Sequence, residues 1–135
     1  MSKIHFELVA PARLMMSAPV DMVVVPGVDG DFGAMAKHTP VITTVRPGVV
    51  EVHDGGKVSE RMFVTGGFAE VTEKRVTVLA EDTIPMNEIS ENAAKLRHKE
   101  GEEALVDAKT DRERAHAEHI LAIAGAMHDV AARRR

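Results

Sequence analysis

As far as Pro85, apolar positions fall in short runs or alternate with polar ones, and Gly and Pro interrupt them at close intervals. Ile4, Phe6 and Leu8 alternate with polar or smaller neighbours, which is the pattern of a half-buried strand. Val20 to Val25 is an apolar run ended by Pro26-Gly27, and Val41 to Val45 follows Pro40. Pro47-Gly48 opens Val49 to His53, and Asp54-Gly55-Gly56 predicts a tight hairpin into Lys57 to Val64. Gly66-Gly67 then precedes Phe68 to Val71, and Arg75 to Glu81 closes the series. No helical period separates these runs, so together they predict an all-β sandwich or flattened barrel.

Past Pro85 the period changes. Asn87 is the expected N-cap of a first helix, with Ile89, Ala93 and Leu96 on one face. His98 to Glu103 interrupts that face, and Gly101 costs about 1 kcal/mol relative to Ala inside a helix, so a bend or frayed turn is expected there. The stripe resumes at Ala104, Leu105 and Ala108. Thr110 with Glu113 has the form of a capping box that starts a second helix, whose stripe is Ile120, Ile123/Ala124, Met127 and Val130/Ala131. A short polar turn around Lys109-Thr110 makes the pair an antiparallel hairpin. Its stripes are narrow and Ala-rich, so the hairpin is expected to be mobile.

Composition supports the division. Of 18 Val, 16 precede Pro85, while 11 of 18 Ala follow it, a shift from residues that favour pleated strands to one that favours helix. Residues 1–85 are therefore expected to form a β domain and 86–135 a helical one. The net charge of −4 is spread along the chain without a basic stripe, which argues against nucleic acid. No apolar run approaches the roughly 20 residues of a membrane helix, and no basic-then-apolar leader opens the chain, so a soluble, unexported protein is expected. A start at Met1 is expected of a bacterial chain. With no Cys there is neither thiol chemistry nor a disulfide framework. Tyr and Trp are absent, so any partner must be held by aliphatic packing or by area.

Catalytic chemistry finds little footing. Asp31-Phe32-Gly33 spells a kinase tripeptide but lacks the catalytic loop and lysine that must accompany it, and no phosphate-binding GxxxxGK[ST] loop exists. His116 and His119 sit one helical turn apart without a third ligand, and a solvated polar face explains them better than a metal. His38, in a loop before Thr39-Pro40, has no acid or nucleophile at a useful spacing and reads as a structural or interface residue. Glu100, Glu102 and Glu103 read as a solvated face. Arg133-Arg134-Arg135 suits a helix C-terminus, and could also meet an acidic partner. What stands out is Val25 to Pro40, where Gly27, Gly30, Gly33, Pro26 and Pro40 shape a surface without supplying chemistry.

Six motifs in order carry a family resemblance: FELV at Phe6 to Val9, VPGVDGDFG at Val25 to Gly33, HTP at His38 to Pro40, RPG at Arg46 to Gly48, TGGFAEV at Thr65 to Val71 and VTVLAE at Val76 to Glu81. In these the chain resembles the epsilon subunit of bacterial F-type ATP synthases, the counterpart of chloroplast epsilon and mitochondrial delta. The resemblance implies a ten-stranded β-sandwich followed by an antiparallel two-helix hairpin. It implies a non-catalytic central-stalk subunit of the rotor, on the cytoplasmic face of the bacterial inner membrane, monomeric when isolated, without cofactor or metal and without inserting into the membrane. Its implied partners are the gamma subunit, the c-ring and, transiently, the alpha/beta catalytic hexamer.

By position, Asp29, Gly30 and Asp31 match the family's c-ring contact, and His38 and Thr43 match positions turned toward gamma. Arg112, Arg114, Arg133, Arg134 and Arg135 are the hairpin cations that would meet the catalytic ring. They are sparse, so only weak inhibition of ATP hydrolysis is expected. Some family members bind ATP through [IL]-D-x-x-R-A. Here Ser90 replaces the Asp and Ala93 the Arg of that motif, so no ATP site is expected.

Overall fold

The computed structural model describes residues 2–134 and divides into two compact units, Met1–Ile84 and Pro85–Arg135. The first holds ten strands: β1 Ile4–Ala10, β2 Arg13–Val20, β3 Met22–Gly27, β4 Gly30–Ala34, β5 Val41–Val45, β6 Gly48–Asp54, β7 Lys57–Val64, β8 Gly67–Val71, β9 Arg75–Ala80 and β10 Thr83–Ile84. They form one sheet in the order β10-β7-β6-β3-β5-β8-β9-β1-β2, with β4 paired to β3. The sheet curls on itself. Ile4, Phe6 and Leu8 of β1 and Val76 and Val78 of β9 therefore share a core with Val23 and Val25 of β3 and Val50 and Val52 of β6. Alternation drives this closure: β1 is buried at every second residue from Ile4 to Ala10, so one face enters the core and the other faces outward.

Three strands lie where the hydrophobic pattern shows none: β2, β4 and the two-residue β10, which pairs with β7. β2, RLMMSAPV, loses its alternation at a bulge: Leu8 pairs with Met16 but Val9 with Leu14, so Met15 is the extra residue and both methionines pack against the core. Its Pro19 is tolerated because β2 lies at the sheet edge. β4 has a composition that reads as turn, yet it pairs with β3 from Val23↔Ala34 to Gly27↔Gly30. The apolar run from Val20 is also cut at Asp21, with Val20 ending β2 and Met22 opening β3. The expected Asp54-Gly55-Gly56 hairpin is present, with φ of 65° at Gly55 and 79° at Gly56.

In the second unit a 3-10 turn, Met86–Glu88, precedes α1, Glu91–Asp107, and α2, Asp111–Arg133. The N-cap of α1 is Ser90, not Asn87: its hydroxyl accepts the Ala93 amide at 3.0 Å. The Thr110/Glu113 capping box forms as expected. α1 has no frayed turn at His98 to Glu103. It runs unbroken, and Gly101 is buried because a Cβ there would stand 2.7 Å from Leu121 Cδ2 and 2.8 Å from its Cγ. This glycine is where the two helices approach, and its spacing role outweighs its weak helix propensity. The expected inward stripe is corrected in part: Ile89 is buried and Ala93 half-buried, but Leu96 is 66% exposed, and α1 buries Ala94 and Gly101. On α2 the stripe is as expected, with Ile123, Ala124, Met127 and Val130 buried and joined by Ala117.

Candidate docking surfaces

The β3–β4 register leaves Val28 and Asp29 as a two-residue turn, both exposed. The motif glycines make this tight connection possible. Gly30 holds φ at 133°, and a Cβ on Gly27 would come within 2.9 Å of the Gly30 carbonyl oxygen. Pro26 is buried, and Gly48 lies so close that a Cβ on it would meet Pro26 Cβ at 3.0 Å, which accounts for the glycine of the RPG motif. Arg46, from the same motif, clasps the turn. Its Nη1 donates to the Gly27 carbonyl at 2.9 Å and its Nη2 to Asp31 Oδ1 at 2.5 Å. Backbone bonds from Arg46 N to Pro26 O and from Val28 N to Thr44 O, each 2.9 Å, join the hairpin base to β5.

His38 sits half-buried in the loop after β4, its Nδ1 2.6 Å from the Thr39 carbonyl and its ring 6.1 Å from that of Phe32. The loop is tied down by a Lys37 N–H bond to Glu73 O at 2.7 Å. Thr43 pairs with the buried Ala69, on the inner side of β5, and is half-buried. Its outward neighbours Ile42 and Thr44 are the exposed ones.

Those neighbours belong to a feature that spans strands. Registers place Thr44 beside Phe68, Phe68 beside Leu79, Leu79 beside Val9 and Val9 beside Leu14, on the face opposite the core. Ile42 lies diagonal to Phe68. Ile42 is 72% exposed, Phe68 58%, Leu79 51% and Leu14 55%. Glu70, Thr77, Glu7 and Ser17 form the next row, and Arg75 Nη1 meets Glu7 Oε1 at 3.1 Å. An exposed apolar row bordered by a polar one makes this face a candidate docking surface. Sequence reasoning missed it because neighbours in the row are far apart in the chain.

Glu51, on β6, has a distinct electrostatic setting. Partial burial would raise the Glu51 pKa, but bonds from His53 Nε2 at 2.9 Å and Arg61 Nε at 3.2 Å outweigh it and hold the carboxyl below its usual range. Among the described residues no three His, Cys, Asp or Glu side chains group as metal ligands, and no helix is long and apolar enough to cross a membrane.

The sequence profile described as ATP synthase, Delta/Epsilon chain, beta-sandwich domain matches residues 3–86, more than half the chain. An ATP synthase epsilon chain of Paramagnetospirillum magneticum is 61% identical over 125 residues, covering 93% of this chain and 94% of its own. The chain belongs to the ATP synthase delta/epsilon family. The epsilon chain of Rhodospirillum rubrum is 52% identical over 123 residues, 91% of this chain and 92% of its own. A chain of the Euglena gracilis mitochondrial ATP synthase superposes with a TM-score of 0.78 at 21% identity, over 96% of this chain and 81% of that one. One from the Tetrahymena thermophila mitochondrial ATP synthase central stalk and c-ring gives 0.71 at 13% identity, over 96% of each. Those two likenesses bear on the fold. As an epsilon-family member the chain is a non-catalytic component of its enzyme, with a rotor and coupling role.

In this family member most of the hairpin arginines are already engaged. Arg114 Nη1 meets Asp111 at 2.9 Å, and Arg133 Nε donates to the Asp129 carbonyl at 3.3 Å. Arg134 Nη1 donates to the Met86 and Ile89 carbonyls at 2.9 and 3.0 Å, closing the end of α2 onto the segment that leads into α1. Arg112 is exposed, and Arg135 lies outside the described residues. His116 is exposed and His119 half-buried.

Proposed function

We propose that the sandwich is the fixed coupling piece of the rotor, binding the gamma subunit through the apolar row Ile42, Phe68, Leu79, Val9 and Leu14. The β3–β4 tip, with Asp29, Gly30 and Asp31, rests on the c-ring. His38 and Thr43 border the gamma surface, His38 by shaping its loop and Thr43 from within β5. The subunit sits peripherally on the cytoplasmic face of the membrane. The hairpin, residues 86–135, is the regulatory part. It touches the catalytic hexamer transiently and inhibits ATP hydrolysis weakly.

The observation that carries this reading is the row of large apolar side chains left exposed on a chain with no Tyr or Trp to anchor a partner. Covering one such side chain contributes about 2 kcal/mol, or roughly thirtyfold in affinity. Phe68→Asp with Leu79→Asp is therefore expected to abolish co-purification of gamma with the tagged, folded subunit. Retention of gamma at one-to-one stoichiometry by that variant would place the gamma surface elsewhere.

A further inference from the structure

We propose that Arg46 is the positioning residue of the β3–β4 tip, and that Asp29, not Asp31, is the carboxylate through which the tip meets a cationic side chain of the surface beneath it. The proposal rests on the tip being a docking point.

Asp31 is the more obvious candidate, since it follows the turn and is exposed, but its Oδ1 is taken by Arg46. The pair cancels to no net charge. Asp29 sits at the apex, exposed, and has no ion-pair partner among the described residues. Beside it Val28 is 56% exposed, so the apex offers one carboxylate and one apolar contact.

Arg46 does more than neutralise. One guanidinium reaches the carbonyl of Gly27, the residue before the turn, and the carboxylate of Asp31, just past it. Both arms of the hairpin are thus held by a single planar group that is itself fixed at the β5–β6 connection. A forked donor suits this task and an ammonium does not. An ion pair this exposed adds little to global stability. What it controls is local: the Val28 and Arg46 amides tie the hairpin base to β5 on one side, and with no side chain on Gly27 or Gly30 to pack, the Arg46 guanidinium is the side-chain group that links the two arms. The aim of Asp29 then depends on Arg46.

The test uses the full chain with Arg46→Gln, Arg46→Lys, Asp31→Asn, Asp29→Asn and the reversed pair Arg46→Asp/Asp31→Arg. In the free chain, amide exchange at residues 28–31 is expected to speed up about fivefold in Arg46→Gln and Asp31→Asn. The reversed pair restores it only in part, because a carboxylate at position 46 cannot donate to the Gly27 carbonyl; Arg46→Lys falls between, and Asp29→Asn leaves it unchanged. Unchanged exchange in Arg46→Gln would overturn the clasp. Binding of the gamma complex to detergent-solubilised c-ring is then measured against salt. Asp29→Asn is expected to weaken it and flatten its salt dependence, whereas Asp31→Asn weakens it no more than Arg46→Gln does. If Asp31→Asn alone flattens the salt dependence, the assignment to Asp29 is wrong. If no variant alters ring binding while exchange behaves as expected, the clasp stands and the ring-contact reading fails.

Discussion

Replacing Gly101 by Ala sets two effects of opposite sign against each other. Helix propensity alone favours Ala by about 1 kcal/mol. The added Cβ, however, would lie 2.7 Å from Leu121 Cδ2, 2.8 Å from Leu121 Cγ and 3.2 Å from Ile120 Cγ2. A methyl end can swing away, but Leu121 Cγ is fixed by its first torsion. Relief therefore needs a rotamer change or a shift of α2, and overpacking of this kind costs about 1–3 kcal/mol. The clash wins by roughly 1 kcal/mol, enough to raise the opened population of the hairpin about fivefold. Amide exchange in the full chain, followed over residues 91–107 and 111–133, should become faster in Gly101→Ala. With Leu121→Ala in the background the two shortest contacts are removed and the Ile120 methyl can give by a few tenths of an ångström, so the same substitution should slow exchange because propensity then dominates. Slower exchange in both backgrounds would refute the reasoning and return Gly101 to being a weak helix residue.

Gly67 and Gly55 both have positive φ, but they should respond differently. At Gly67, φ is 141° and a Cβ would lie 2.0 Å from the Leu79 carbonyl oxygen, backbone that cannot step aside, so Gly67→Ala should cost at least about 3 kcal/mol and lower Tm by more than about 10 °C. Gly55, with φ of 65° and open space around it, should accept Asn with little change in Tm. Equal losses at the two positions would mean that φ alone matters. Glu51 supplies a pH test, because its folded pKa lies below the ordinary 4.5. Its stabilisation is fully present above that ordinary value and is lost as pH falls through the folded one. The stability difference between wild type and Glu51→Gln in urea should thus be larger at pH 6 than near pH 3, and a pH-independent difference would contradict the His53–Glu51–Arg61 account.

Local pattern made much of the fold legible. Val41 to Val45 and Lys57 to Val64 are strands with the expected bounds, and the Thr110/Glu113 box starts α2 where its side chains require. In each case the deciding interaction is between residues within a few positions of one another. β2, β4 and β10 escaped notice because their reasons are non-local, β10 existing only as a two-residue pairing with β7. Met15 and Met16 can both face inward only because a bulge lies opposite Leu8 and Val9, and Gly30 to Ala34 extends only because β3 offers a ladder. The same holds for the candidate surfaces. The Gly-rich apex could be found in the sequence, since backbone constraints mark it. The Arg46 clasp and the row from Phe68 to Leu14 could not, because each depends on register between distant segments.

That distinction also bears on the switching proposed for the hairpin. Gly101 looked like its weak point, yet the glycine lets the helices touch and so favours the compact form. The looseness lies instead on the outside of α1. This helix fully buries only Ala94 and Gly101, while Leu96 is 66% and Val106 84% exposed, so its largest apolar groups contribute little to the compact form and are open to a partner. Opening the hairpin would expose small side chains and break the two Arg134 bonds to Met86 and Ile89, freeing a cation at the end of α2. A partner surface that covers Leu96 and Val106 and accepts that guanidinium thus has differential affinity for the open state, and such a difference is what shifts a conformational equilibrium.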